Sequence, residues 1–533
     1  MRTENAELLL TAILEAAGDD ELEARLAGLR ATAERLAEHQ NVQAWGTAAE
    51  YFDQAVVKRA RSWLKEAFAG EPAGAVWAAG TLTDTDNAEL FAVQHAERAR
   101  HVPGLGWLVY DEALGRYERD SGAAVQLAIE TARSRFAEAA RCADEHLAKK
   151  LASWATRSLS RSSIEAALTL AESMPALRAG VESFDQDPML LNVRNGVVDL
   201  ANGELLPHSA TYLMSKVAGT HYEPGAPCVR WRAHLERIFA ADQATIEFLQ
   251  RLCGFALTGI SIEQKFAIFY GSGANGKTIS AEVLRSALGE YAETADFKTF
   301  SVSRNDGPRN DLAKLVGTRF VTASETNPRQ KLDEAVVKQV TGGEPITARF
   351  LYREFFTYLP QYTVFLSTNH LPNIEGIDRG LWRRLFLIPF TVTIPEPDQD
   401  RDLLAKLRGE LPGILAWMVQ GCLAWERQGF DAPMSVQMAT AEYHDETDLV
   451  GQFVAECLKP VAQGWVELQS VYAVYKSWCE RNGYPPGGAQ QLSQRLRDHG
   501  LTLTKDAPQT HRSRLRGHLF RESVANLTES EPY

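Results

Sequence analysis

The feature that most constrains this chain is the run Gly271-Ser272-Gly273-Ala274-Asn275-Gly276-Lys277-Thr278, which satisfies G-x-x-x-x-G-K-[ST] in full. It follows the apolar run FAIFY and precedes TISAEVLRSAL, a helix-like stretch. A strand, a glycine-rich loop and a helix in that order let backbone N–H groups curl around phosphate oxygens. The helix N-terminus adds positive potential there. In such a loop Lys277 reaches the β- and γ-phosphates of ATP, and the Thr278 hydroxyl can ligate Mg2+.

The surroundings extend this reading. A loop of this kind needs an acid on a nearby strand tip. RFVTASE supplies Glu325 at the end of a strand-like run, about fifty residues downstream. Its carboxylate can hold the metal's water shell, activate the attacking water, or do both. A solvated strand-end glutamate is the bland alternative. The next apolar run, YTVFLSTNH, ends at Asn369, which can hydrogen-bond a γ-phosphate or its water, or merely form a turn before Leu371-Pro372. Arg379, Arg383 and Arg384 then cluster in DRGLWRRLFLIPF. Guanidinium stays charged and forks onto phosphate oxygens, so an arginine here suits a finger reaching into a neighbouring subunit. Arg384 is the first choice and Arg383 the second. A solvated basic face beside Trp382 is the alternative.

From residue 265 to about 395, strand-like runs alternate with helices, which predicts an α/β layer around a buried sheet. The order GSGANGKT, ASE, VVKQVTGGEPITARFLYREFF, FLSTNHLP and LWRRLFLIPF resembles the superfamily 3 helicases. It looks closest to the helicase half of phage and plasmid primase-helicases, a group with poxvirus-type relatives. The resemblance covers roughly residues 85–533. It implies a multidomain α/β chain with a P-loop AAA+-like ATPase core, a mainly α-helical N-terminal region and a C-terminal winged-helix module. It implies Asn369 as sensor 1, and Lys338, Thr341, Gly342 and Gly343 as the start of a motif that leads into a channel-lining hairpin. It also implies a ring, most simply a hexamer, moving 3′→5′ on single-stranded DNA. ATP would then sit between subunits.

The hairpin segment agrees in part on its own residues. ITARFLYREFF interleaves Arg349 and Arg353 with Phe350, Tyr352, Phe355 and Phe356. Cations suit phosphates and exposed aromatics stack on bases, although half of these rings are expected in the core. By alternation Arg349, Leu351 and Arg353 share one strand face. In the C-terminal part, VELQSVYAVYKSWCERNGY looks like a helix pair, AQQLSQRLRDHG like a recognition-type helix and THRSRLRGHLF like a β-wing. Residues 495–521 hold seven basic side chains, among them Arg495, Arg497, Arg512 and Arg514, against two acids. That fits a footprint for duplex origin DNA, with a partner-protein face as the alternative.

Five regions follow: 1–84, helical and unassigned; 85–228, a collar-type domain with hairpins; 229–400, the ATPase core; 401–447, a helical connection; and 448–533, the winged-helix-like unit. In residues 85–180 the run GWLVYDEALGRYERD reads as a hairpin turning at 112–115. Further turns are expected at Asn195-Gly196 and Asn202-Gly203. Asp84 and Asp86 form a D-x-D, but Asp86 with Glu89 reads as a helix cap. About eighty mostly helical residues precede them, without zinc cysteines, so the chain is not expected to make primers itself. A separate primase or polymerase partner is expected.

Composition sets the remaining bounds. A length of 533 residues implies about three or four domains. The six cysteines form no C-x-x-C pair, which argues against a zinc ribbon and suits a reducing cytoplasm, here that of a bacterial host. No signal peptide or membrane span is expected. The net charge of −13 argues against a chain that coats nucleic acid everywhere. It averages over an acidic N-terminal part and the basic C-terminal stretch, so a local nucleic-acid site remains open. The leading expectation is an ATP-driven DNA helicase of a phage, prophage or plasmid replication system. An origin-binding initiator and a protein-remodelling ring ATPase are the alternatives.

Overall fold

The computed structural model describes residues 82–302, 309–324, 331–349, 355–374, 378–484, 486–505, 513–522 and 524. The helices expected over residues 1–80 lie outside them, as do Glu325, Phe350, Leu351, Tyr352, Arg353 and Arg512. The chain is a multidomain α/β protein that separates into two units. One runs to Val109 and resumes over Arg119–Ala179; the other takes Tyr110–Glu118 and everything from Gly180.

The first unit starts with α1 (Asp84–His95) and β1 (Ala99–Val102). Thr83 caps α1: its Oγ1 accepts from Asp86 N at 3.4 Å, and the Asp86 carboxylate accepts from Thr83 N at 2.6 Å. The capping box therefore pairs Thr83 with Asp86, one turn earlier than the Asp86–Glu89 pairing the sequence suggests. A hydroxyl cap beats a carboxylate here because Asp86 can serve as the reaching-back acid. β2 (Gly106–Asp111) lies antiparallel to β1, with Val109 opposite Ala99; from Tyr110 to Glu118 the chain belongs to the second unit, which takes most of β3 (Arg116–Arg119). Gly115 N donates to Asp111 O at 2.7 Å and closes the expected turn. Then follow α2 (Ser121–Arg141), α3 (Glu145–Ser158) and α4 (Arg161–Ala171). Phe91, Trp107, Leu127, Ile164 and Leu168 form this unit's core.

The second unit contains an antiparallel meander of β4 (Leu190–Val193), β5 (Gly196–Asp199) and β6 (Glu204–Leu206). Val193 pairs with Gly196, so Arg194 and Asn195 are the first turn's central residues. Helices α5 (Val229–Ile238) and α6 (Gln243–Phe255) lead to the main sheet. That region runs β7 (Phe266–Tyr270), α7 (Lys277–Leu288), β8 (Ala292–Asp296), α8 (Asn310–Ala313), β9 (Phe320–Ser324) and α9 (Glu334–Thr341). It continues through a hairpin, β10 (Ile346–Arg349) with β11 (Phe355–Tyr358), then β12 (Thr363–Thr368), α10 (Arg379–Trp382) and β13 (Leu385–Pro389).

The five strands stand in the order β13-β7-β12-β9-β8, all parallel. Alternation splits their side chains between two cores. Ala267, Phe269, Phe320, Phe365 and Ile388 pack with Leu235, Phe248, Val283 and Leu415 on one face. Phe266, Ile268, Val321, Val364 and Leu387 pack with Val336, Val340 and Tyr443 on the other. Burial on both faces is why these strands read as unbroken apolar runs.

Helices α11 (Leu403–Arg408), α12 (Leu411–Gln428) and α13 (Met434–Thr447) follow. The outer strand β13 is partly closed by α13, whose Thr440 Oγ1 accepts from Leu387 N at 3.0 Å. The C-terminal part comprises α14 (Leu449–Cys457), β14 (Leu458–Glu467), α15 (Leu468–Arg481), α16 (Ala489–Asp498), β15 (Leu503–Lys505) and β16 (Ser513–Phe520). Where the sequence suggested a helix pair beginning at Val466, there is a strand end followed by one helix. Trp465 and Val466 are drawn into the sheet by pairing with Arg516 and Leu515. The expected β-wing segment supplies β16, the middle strand of a three-stranded antiparallel sheet, β14-β16-β15. Its core holds Phe453, Tyr475, Trp478, Leu492, Leu496 and Leu515.

Candidate nucleotide site and nucleic-acid surfaces

The loop 271–276 leaves the C-terminal end of β7, between β12 and β13. Parallel pairing places Tyr270 beside Thr368 and Ser367 beside Ser324. The ends of three central strands therefore meet at the loop. Gly273 (φ +108°), Ala274 (φ +50°) and Gly276 (φ +83°) take left-handed backbone angles, which fold the loop back on itself. A Cβ on Gly276 would stand 2.8 Å from Ile238 Cγ2 and 2.9 Å from His234 Cε1, so glycine is required by space as well as by φ.

Lys277 opens α7 and is only 5% exposed. Its Nζ donates to Gly271 O at 2.7 Å, Asn275 Oδ1 at 3.0 Å and Asn369 Oδ1 at 3.1 Å. Burial lowers its pKa from the ordinary lysine value. Three neutral oxygens hold the ammonium, a set that an anionic oxygen can displace at a gain in charge-assisted bonding. Asn275 is buried and its Nδ2 donates to Phe390 O at 3.2 Å, whereas Ser272, Ala274 and Thr278 are exposed. The cradle of Gly271 to Gly276, a buried lysine and an exposed Thr278 hydroxyl on the first helical turn fit a nucleoside triphosphate. The same hydroxyl suits a divalent cation.

Asn369 follows β12 directly and meets Lys277 across 92 residues of sequence. The structure thus brings together the loop, Lys277 and Asn369 from the sequence-derived set. Glu325 comes next after Ser324, outside the described residues.

Sequence reasoning missed the scaffold under the loop. His234 on α5 shares a hydrogen bond of 3.0 Å with Ser280 Oγ on α7. Burial pushes its imidazole down to about 4, so it is neutral at ordinary pH. Ile394 N donates to Ala274 O at 2.8 Å, and Phe390 O receives Asn275. No local spacing signals any of these, because each contact is long-range.

Arg384 is placed at the other end of the sheet. It precedes β13, and its carbonyl accepts from Phe266 N at 2.8 Å at the start of β7. A five-residue strand, about 16 Å, separates it from its own loop. Its side chain is 8% exposed; Nε donates to Thr341 Oγ1 at 3.0 Å and Nη1 to Gly380 O at 2.8 Å. Burial, with the adjacent Arg383 charge, lowers its pKa. Arg383 is exposed and donates to Gln264 Oε1.

The expected DNA contacts are dispersed. Lys338 pairs with Asp378. Arg349 ends β10 with its guanidinium 4.7 Å from the Phe355 ring centroid, and Phe355 is 60% exposed. Arg495 and Arg497 sit on α16, whose apolar side buries Leu492 and Leu496. Arg514 lies on β16, 3.5 Å from the Trp465 ring centroid. Among the described residues no group of three or more His, Cys, Asp or Glu side chains could hold a metal ion, and no helix is long and apolar enough to cross a membrane.

Comparison with known proteins adds a second line. Residues 88–240 match the family model "D5 N terminal like", residues 445–502 "Poxvirus D5 protein-like", and residues 269–384 a "Family of unknown function". A "Putative helicase" of Acanthamoeba polyphaga mimivirus is 26% identical over 327 residues, covering 57% of this chain and 34% of its own. A "Putative helicase" of Frog virus 3 is 27% identical, covering 48% and 28%. A "Putative primase" of African swine fever virus is 25% identical, covering 57% and 34%. The chain thus spans about a third of the length of these viral relatives. Among solved structures, the C-terminal region of NrS-1 aligns at 14% identity with a TM-score of 0.34, covering 49% of this chain and 58% of that one.

Proposed function

Because the chain belongs to the primase-helicase family with poxvirus-type members and carries its superfamily 3 helicase portion, we propose that it is an ATP-driven DNA helicase of a viral, phage or plasmid replication system. The observation that carries this reading is the contact of Lys277 Nζ with both Gly271 O and Asn369 Oδ1 at the shared end of β7 and β12. On nucleotide binding Lys277 exchanges these oxygens for those of the β- and γ-phosphates. Asn369, released from the lysine, hydrogen-bonds the γ-phosphate or the attacking water. Thr278 and Glu325 would hold Mg2+, which when bound would neutralise phosphate charge. Glu325 would also take the proton from water.

The subunits form a ring, most simply a hexamer, with ATP between neighbours and an arginine of one subunit acting on the nucleotide of the next. The hairpin β10–β11 grips a single strand through Arg349 and Arg353 as the ring moves 3′→5′. The C-terminal part, read as a winged helix, adds duplex contacts through Arg495 and Arg497.

The test measures ATP hydrolysis with single-stranded DNA, duplex DNA and unfolded polypeptide in parallel, followed by strand displacement. Stimulation by single strands together with unwinding is expected. Origin melting without processive unwinding would instead make the chain an initiator. Stimulation by polypeptide alone would make it a protein-remodelling ATPase.

A further inference from the structure

We propose that the outer face of the C-terminal sheet is a stacking site for a nucleic-acid base, built on Trp465; the proposal rests on the DNA-directed reading above. In β14, β15 and β16, Val466, Leu503 and Leu515 turn toward the apolar core. Alternation therefore puts Trp465, Glu467, Thr504, Arg514 and Arg516 together on the opposite face. Trp465 pairs with Arg516, while Arg514 stands between Glu467 and Thr504.

Trp465 is 47% exposed, a large apolar ring that burial does not explain. It follows a register break between Pro460 and Trp465, a device that re-aims a side chain at a sheet margin. The Arg514 guanidinium lies 3.5 Å from the indole centroid and restrains the ring, which reduces the entropy lost when a second flat group stacks on it. Glu467, opposite Arg514, offsets that charge. Arg516 is exposed, with its Nε held by Thr504 Oγ1 at 3.0 Å. Residues directly opposite in a sheet hold their Cβ atoms about 5 Å apart. Trp465 and Arg516 thus offer a ring for a base beside a cation for its phosphate. An exposed ring alone would suit many partners; a ring with one arginine stacked on it and a second at the paired position of the next strand suits a polyanion with flat groups. The ligand is single-stranded nucleic acid.

The two side chains separate by chemistry. Stacking does not displace counterions, so its loss lowers affinity without changing salt dependence; loss of a phosphate contact lowers the salt slope by about one. In the full chain, Trp465→Ala should bind oligothymidine about ten-fold more weakly with an unchanged salt slope, and Trp465→Phe should recover most of that loss. Arg516→Ala should flatten the slope. An abasic strand of the same length should bind the unaltered protein and Trp465→Ala alike. Equal affinity of Trp465→Ala and the unaltered protein for oligothymidine overturns the stacking site while leaving the helicase reading intact. An equal loss on the abasic strand also overturns it, since no base is then involved. If the unaltered protein binds neither strand, the DNA-directed reading itself falls, and this site with it.

Discussion

The two ends of the main sheet treat their cations differently. At the C-terminal end Lys277 is buried, yet its ammonium is held by two amide oxygens and a loop carbonyl that a phosphate can replace. At the N-terminal end the Arg384 guanidinium is equally sheltered, but its partners are the Thr341 hydroxyl closing α9 and the Gly380 carbonyl of α10. The first cation is poised for exchange, and the second ties two helices together. Burial alone does not mark a catalytic cation; what matters is whether its present partners belong to a loop that a ligand would reshape.

The largest expected effect follows from the exchangeable end. Lys277→Ala should lower ATP turnover by about 10³-fold or more, since it removes the charge facing the phosphates. Turnover within ten-fold of the unaltered protein would show that the loop does not hold the reacting nucleotide. The next effect concerns the scaffold. His234 folds with its pKa lowered to about 4 from an unfolded value near 6.5. The unfolded chain therefore binds more protons between those values, and stability falls as pH drops through the window. The shift corresponds to about 3 kcal/mol once pH is below 4. His234→Gln, which retains a side chain able to bond Ser280, should flatten this acid limb in thermal denaturation curves taken from pH 7 to 4. A parallel limb in both proteins would mean that other groups carry the acid sensitivity.

How much of this was legible beforehand depended on sequence distance. The loop, its strand and its helix were readable because motif and context are contiguous. The other sheet strands were readable because burial on both faces forces apolar runs such as VFLST and FLIP. Strand order was not: β7 stands between β12 and β13, about a hundred residues later in the chain, and no local pattern encodes that. The braces from His234, Phe390 and Ile394 were invisible for the same reason. The cap at Thr83 was missed because Asp86 qualifies both as a cap and as the acid of an earlier box. In the C-terminal part Trp465 and Val466 suit a helix or a strand, and only the pairing with β16 decides.

The arginines give the next test of the contrast. Arg384→Ala should lower stability by about 2 kcal/mol, because it removes one buried and one partly buried hydrogen bond at once. Arg383→Ala, at an exposed position, should change stability by under about 0.5 kcal/mol. If an arginine acts on a neighbour's nucleotide, exposure favours Arg383, and Arg383→Ala should then lose ATP turnover with its melting temperature intact. The opposite pattern, with Arg384→Ala fully folded but inactive, would make the N-terminal end of the sheet as catalytic as the loop.

The smallest effect is expected at Lys338, where a cation near the hairpin already has a carboxylate partner. Hydrogen bonding to Lys338 holds the Asp378 carboxyl below its usual range, with the Gly380 amide adding to the effect. Both side chains are partly exposed, at 34% and 49%, so the pair is screened by solvent and contributes under about 1 kcal/mol. Its charge is also already neutralised locally. Lys338→Ala should therefore leave the salt slope of single-strand binding unchanged, whereas Arg349→Ala should lower it by about one. Binding isotherms at several salt concentrations distinguish the two. A slope that falls for Lys338→Ala would mean that DNA draws Lys338 away from Asp378, giving that ion pair the same exchangeable character as Lys277.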